Sequence, residues 1–192
     1  MTPDQFVIDA TRTESRIKNI SLNPTFFHDL TETIIALGTI LDQIKKHTFY
    51  NKPYNTESIR ENLEVARSNI LLMVEDTDRD FWLRDDQKME VDVDPRVFHA
   101  IVGITTEAVE LLQALDIHTK DIDKVNFLEE LGDVDWYQAI GIDAVDGSFE
   151  QVLERVIAKL RIRYPDKFTS ENAINRDLAR ERKVLEGSQE NP

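Results

Sequence analysis

The chain has 192 residues, 37 acidic and 23 basic side chains, a net charge of −14, 41% hydrophobic residues, 6 Gly, 6 Pro and no Cys. That length supports one sizeable domain or two small helical halves, and so little Gly and Pro leaves scant material for a turn-rich β sandwich. The charge argues against nucleic acid and anionic membranes as partners, and the lack of Cys excludes disulfides, thiolate nucleophiles and Cys-based zinc sites.

Taken in chain order, helix start signals recur. Thr2-Pro3-Asp4-Gln5 offers an N-cap, a proline at the first helical position and a glutamine placed to close a capping box. Thr56 is a candidate cap, Asp94-Pro95 repeats the cap-plus-proline pair, Ser148 with Gln151 resembles a capping box, and Thr169 is a further cap. These signals predict helices over 3–19, 25–47, 57–75, 95–117, 122–145, 149–162 and 170–185, an all-α fold. Residues 76–94 read as an Asp-dense connector carrying a short helix, with Phe81, Trp82 and Leu83 packed on the core, and 187–192 as a frayed tail. No apolar run reaches the ~18–20 residues that span a bilayer, and there is no signal-peptide pattern, so the expected location is the cytoplasm.

The expected organisation is an amino-terminal helical half with the connector over 1–94, a second half over 95–186 and the tail, all in one compact unit. Phe27-His28 through Leu41 to Asn62-Leu63 can be laid over Phe98-His99 through Leu112 to Glu130-Leu131, which would make the fold a pseudo-duplicated pair of helical hairpins. In that overlay Glu107, Glu110, Glu130 and Asp133 face Ala36, Thr39, Asn62 and Val65, so the first half would have lost its acids. Two unrelated amphipathic hairpins explain the same pattern equally well.

Those four acids form the candidate site. In Glu107-Ala-Val-Glu110 and Glu130-Leu-Gly-Asp133, residues three apart share one side of a helix, so two such helices packed antiparallel would converge four carboxylates on one pocket. Clustered hard oxygen ligands suit Mg2+, with Mn2+ as a substitute. A decoy exists in Glu61, Glu64, Glu75 and Asp78, but Glu64 is flanked by Arg60 and Arg67, the mark of a solvated, charge-paired face. Glu107, Glu130 and Asp133 instead lie on stripes with Ile104, Leu111, Phe127, Val134, Trp136 and Tyr137, and the carboxylates of this set, Glu110 included, are expected to point inward. Carboxylates buried there demand a cation or a basic partner, which leaves a metal site and a buried salt-bridge network as the two readings.

Thr106-Glu-Ala-Val-Glu-Leu-Leu112, Glu129-Glu-Leu-Gly-Asp-Val-Asp-Trp-Tyr137, Lys159-Leu-Arg-Ile-Arg-Tyr-Pro-Asp-Lys-Phe168 and Asn175-Arg-Asp177 resemble, in order and spacing, the signatures of the MazG-like all-α NTP pyrophosphohydrolases. The resemblance covers roughly residues 97–186, and Ala10-Thr-Arg-Thr-Glu-Ser15 is similar to a helix that often precedes that core. It implies a helical bundle of MazG-like type and Mg2+-dependent hydrolysis of a nucleoside triphosphate to the monophosphate and pyrophosphate. By the same resemblance Glu107, Glu110, Glu130 and Asp133 are metal ligands and catalytic residues. Lys159, Arg163 and Tyr164 lie in the segment near the nucleotide and its phosphates, and Asn175 and Arg176 assist.

For Lys159 and Arg163 the alternative is a cationic last helical turn complementing the dipole, and for Trp136 and Tyr137 it is core packing rather than stacking on a base. The lysine pair that family members carry after the first acidic helix is replaced here by Asp116-Ile-His-Thr-Lys120. Lys45-Lys46 holds the equivalent place in the first half and is a candidate phosphate contact. One chain would then be a monomer imitating a dimer, with a homo-oligomer as the alternative. A dUTPase- or dCTPase-type nucleotidase is the alternative activity, a phosphoribosyl-ATP pyrophosphohydrolase a more distant one, and a non-catalytic acidic interaction protein the alternative from another class.

Overall fold

The computed structural model describes residues 1–78, 88–115 and 121–187, the side chains of 76–78 aside. It is all-α with one minor exception. The elements are α1 (Pro3–Thr11), β1 (Ile20–Leu22), α2 (Pro24–Tyr50), α3 (Thr56–Asp78), β2 (Met89–Val91), α4 (Pro95–Gln113), α5 (Lys124–Ala144), α6 (Phe149–Arg163), α7 (Ser170–Ile174) and α8 (Leu178–Leu185). The two short strands, which the sequence patterns did not predict, pair with each other. Two predicted helices are corrected. The first ends at Thr11 instead of residue 19, and 170–185 is broken into α7 and α8 at 175–177, where Asp177 starts a new helix by accepting from the Arg180 N–H at 3.0 Å. Phe81, Trp82, Leu83, the segment 116–120 and the tail beyond Gly187 lie outside the described residues.

Caps explain most boundaries. The Thr2 hydroxyl accepts from the Gln5 N–H at 3.2 Å, but the Gln5 amide turns forward to Asp9 at 3.0 Å, so the capping box does not close. Asn55, rather than Thr56, caps α3 by accepting from Ser58 N–H at 3.0 Å. Asp94 accepts from the Arg96 and Val97 N–H groups and Asp123 from those of Val125 and Asn126, which fixes where α4 and α5 begin. Among the described residues no helix is long and apolar enough to cross a membrane.

The chain divides into two compact units that do not meet at residue 94: Met1–Ile20 with Asp92–Ile157, and Ser21–Val91 with Ala158–Pro192. In the first, α4 and α5 form an antiparallel hairpin and α1 packs on α5. Its core joins Ala10, Ala139 and Phe149 with Phe6, Val7, Trp136 and Ile142, and Phe6 meets Phe149 edge to face with ring centres 6.1 Å apart. The hairpin closes on small residues. Ala100 approaches Gly141, and Gly103 lies under Tyr137 so closely that a Cβ there would sit 2.2 Å from ring carbons.

In the second unit α2 and α3 form the other hairpin, sealed by Ala36 and Ala66. Its turn is set by Asn51, in the left-handed region at φ 54°, and by Gln43, which accepts from the Asn55 N–H at 3.0 Å and donates to Ser58 at 3.2 Å. Buried Ala36 occupies the place that the overlay gives to Glu107, so this hairpin closes over an apolar contact.

Gly103→Ala is expected to wedge α4 away from Tyr137 and destabilise the chain by about 1–3 kcal/mol, the usual cost of overpacking. Urea unfolding followed by circular dichroism measures this, and an unchanged midpoint would contradict the close packing.

Candidate functional site

The small-residue contacts set the register from which the acids follow. Gly103 pairs with Tyr137 and Ala100 with Gly141, so one turn forward on α4 matches one turn back on α5. The next turn brings Glu107 to Glu130 and Asp133. Carboxylate oxygens of these three residues all lie within 4.8 Å of one another. Glu130 is buried, Glu107 half-buried and Asp133 exposed. Glu110, predicted to join them, is exposed and stands outside this triad, and neither it nor Asp133 points into the core as expected.

The electrostatics of the triad are one-sided. Burial, a hydrogen bond that its protonated form gives to Glu107, and the charges of Glu110, Glu107 and Glu129 push the Glu130 carboxyl up to about 7. Among the described residues, the charges that raise it are all acidic. The Tyr137 phenol is raised for similar reasons, by burial and then by Glu107, Asp133 and Glu110, which shows that its ring borders the cluster. A divalent cation fits this donor set: hard oxygens, close enough for one ion to bridge, with excess negative charge.

Two other buried carboxylates are handled differently. Glu14, its side chain fully buried, accepts from Arg96 Nε at 2.7 Å and Arg16 Nε at 3.1 Å, while Arg96 Nη2 reaches Asp143 at 2.6 Å. Glu181 accepts from both Arg163 (2.8 and 2.6 Å) and Arg176 (3.3 and 2.6 Å), and these hydrogen bonds hold its carboxyl down at about 2. Sequence reasoning missed Glu14, Arg96, Asp143 and Glu181 as structural groups. Glu14 and Arg96 are 82 residues apart, a separation that leaves no local signal.

The predicted substrate contacts fall as follows. Trp136 packs on α1, its Nε1–H donating to Thr13 Oγ1 at 2.9 Å and the Ala10 carbonyl at 3.2 Å, and Trp136, Tyr137 and His99 contact one another edge to face. The remaining predicted residues all belong to the second unit. Arg163 and Arg176 are both engaged by Glu181, with Asn175 lining the same polar pocket of about 190 Å³. Tyr164 packs against Phe168 at 5.4 Å, and Lys159 is half-buried on α6. Lys45 and Lys46 both pair with Asp42, which lowers the Asp42 pKa. The decoy Glu64 pairs with Arg67 at 3.2 Å on an exposed face, as its neighbours predicted.

A carboxyl raised from its ordinary value to about 7 keeps in the folded state a proton that the unfolded chain has released. Its contribution therefore falls as pH rises from about 4.5 to about 7. In metal-free buffer Glu130→Gln is expected to raise the melting temperature at mildly alkaline pH and to leave it nearly unchanged at acid pH. Parallel melting profiles for the two proteins would contradict this. Arg163→Ala is expected to cost about 3–5 kcal/mol by stranding buried Glu181 with one partner. A urea midpoint like that of an exposed-site variant would refute it.

Compared with protein-family models, with curated proteins and with solved structures, the chain shows no match.

Proposed function

We propose that this chain hydrolyses a nucleoside triphosphate to the monophosphate and pyrophosphate with a divalent cation, Mg2+ or Mn2+, held by Glu107, Glu130 and Asp133. The observation that carries the proposal is the convergence of these three carboxylates within 4.8 Å while the charges that raise Glu130 among the described residues are acidic. Two other buried acids of this chain each have two arginines, so the missing counter-charge here is assigned to an ion from solution. The signature resemblance around 106–112 and 129–137 supports the same chemistry.

The α-phosphorus of a triphosphate is shielded by negative oxygens, and hydroxide is scarce at neutral pH. A bound divalent cation supplies phosphate neutralisation and a more acidic water. The chain's own contribution is to hold its acids in register through Gly103 and Gly141, and to keep Tyr137 at the cluster's border. Water adds to the α-phosphorus, the bond to the bridging oxygen breaks, and pyrophosphate leaves. Glu110, exposed one turn on from Glu107 along α4, is assigned the proton that water loses. With Arg163 and Arg176 bound to Glu181, the proposal rests on the acids of the first unit alone.

Pyrophosphate release is measured across common and damaged triphosphates, including dUTP and dCTP, with and without Mg2+. Turnover is expected only with the cation, and Glu110→Gln and Glu130→Gln are each expected to lose ~10²-fold or more while keeping their helical spectra. Activity confined to dUTP or dCTP would select the narrower nucleotidase. Full activity in both variants would reject the site. Absence of turnover on every nucleotide would favour the interaction-protein alternative.

A further inference from the structure

The turn of the α2–α3 hairpin encloses a pocket of about 250 Å³, lined only by residues between Thr39 and Ser58 of the second unit. Its hydrogen bonds are out of balance. The side-chain acceptors are taken: the Asp42 carboxylate holds Lys45 at 2.6 Å on one oxygen and Lys46 on the other. Gln43 Oε1 accepts from the Asn55 N–H at 3.0 Å, and Asn55 Oδ1 from the Ser58 N–H at 3.0 Å, so both amides turn their oxygens to the backbone. Ser58 Oγ accepts from Gln43 Nε2 at 3.2 Å and from Asn62 Nδ2 at 3.4 Å, which leaves its own hydrogen to be given elsewhere. Thr39 spends its hydrogen on the Ile35 carbonyl at 2.9 Å and adds no donor. The Ser58 hydroxyl, Asn55 Nδ2 and the Lys52 ammonium are the donors for which the described residues supply no acceptor, and all belong to residues lining this pocket.

Charge points the same way. In a chain whose net charge is −14, Lys45, Lys46 and Lys52 at this turn are set against Asp42, an excess of two positive charges. Glu57, on the first turn of α3, is exposed and does not line the pocket. A ligand that meets spare donors and filled acceptors has to be acceptor-only, and one that offsets two positive charges is a dianion. The phosphate group, free or as a monoester, is both at mildly alkaline pH.

We infer that this pocket binds a phosphate group, whose oxygens take the spare hydrogens of Lys52, Asn55 and Ser58 with Lys46 alongside. The site is built by the hairpin alone and does not rest on the acids of α4 and α5 or on any hydrolysis. It is tested on the full chain by calorimetric titration with inorganic phosphate and, separately, with glycerol phosphate, in chelator, without nucleotide, and with ionic strength held constant by chloride. Phosphate is expected to bind once per chain and to raise the melting temperature. Lys52→Met is expected to weaken binding ~10-fold, the usual worth of a charge-assisted hydrogen bond. Lys52→Arg is expected to keep the affinity, and Lys18→Met, at an exposed site of the first unit, to leave it unchanged. Asn55→Asp retains the oxygen that caps α3 and sets a negative charge in place of the spare N–H, so binding is expected to vanish with the helical spectrum intact. Binding of glycerol phosphate alone would make the ligand an organic monoester, and binding of inorganic phosphate, alone or as well, would make it the phosphate group itself. For both anions, no heat and no thermal shift beyond that of chloride would overturn the inference. Unchanged affinity in Lys52→Met or in a folded Asn55→Asp protein would do the same.

Discussion

Burying a carboxylate beside other carboxylates raises the free energy of the folded state, and the α4–α5 hairpin does this at Glu130. The strain is built in by packing. Gly103 and Gly141 let the two helices approach, and Tyr137 on Gly103 fixes the register. Once that register is set, Glu107 and Asp133 have no choice but to meet Glu130 one turn away. A larger residue at Gly103 would relieve the crowding of the acids and lose the site. The hairpin thus couples its tightest apolar contact to its least favourable electrostatic one.

Glu14 and Glu181, two other acids with buried side chains, are treated differently. Glu14 is braced by Arg96 and Arg16, and Glu181 by the forks of Arg163 and Arg176. In both cases the cation comes from the polypeptide, and the ion pair ties together segments distant in sequence. Around Arg96 the acids Glu14 and Asp143 balance Arg96 and Arg16, whereas Glu181 offsets only one of its two arginines. Among the described residues Glu130 is met by Glu107, Glu110 and Glu129 instead, and it is on this that the proposed cation rests.

Much of this was legible in the residues, because the signals are local. Caps at Asp94 and Thr169 and the prolines after Thr2 and Asp94 set helix starts, and acid pairs three apart set which carboxylates share a helix side. Burial was harder to read: Glu130 lies inside, but Asp133 and Glu110, on the same kind of stripe, remain in solvent. The early end of α1 was not legible either, since the segment after Thr11 is held by Glu14 meeting an arginine 82 residues away. Arg163 carried a phosphate-binding signature and a helix-dipole explanation, and Arg176 an assisting role, but the structure gives both a bidentate grip on Glu181, which depends on where α8 folds back. Local spacing can place two groups on one face; it cannot say which distant group will answer them.

The proposed chemistry therefore turns on whether a divalent ion occupies the space between the acids of α4 and α5. Crystals of the protein soaked in Mn2+ and measured for anomalous scattering report this without reference to any reaction. The account predicts a peak bonded to oxygens of Glu107, Glu130 and Asp133, at the ~2.0–2.2 Å expected of small hard cations, and none there in Glu130→Gln crystals. A site that stays empty at saturating Mn2+, or three carboxylates found neutralised by side chains of the protein, would contradict it.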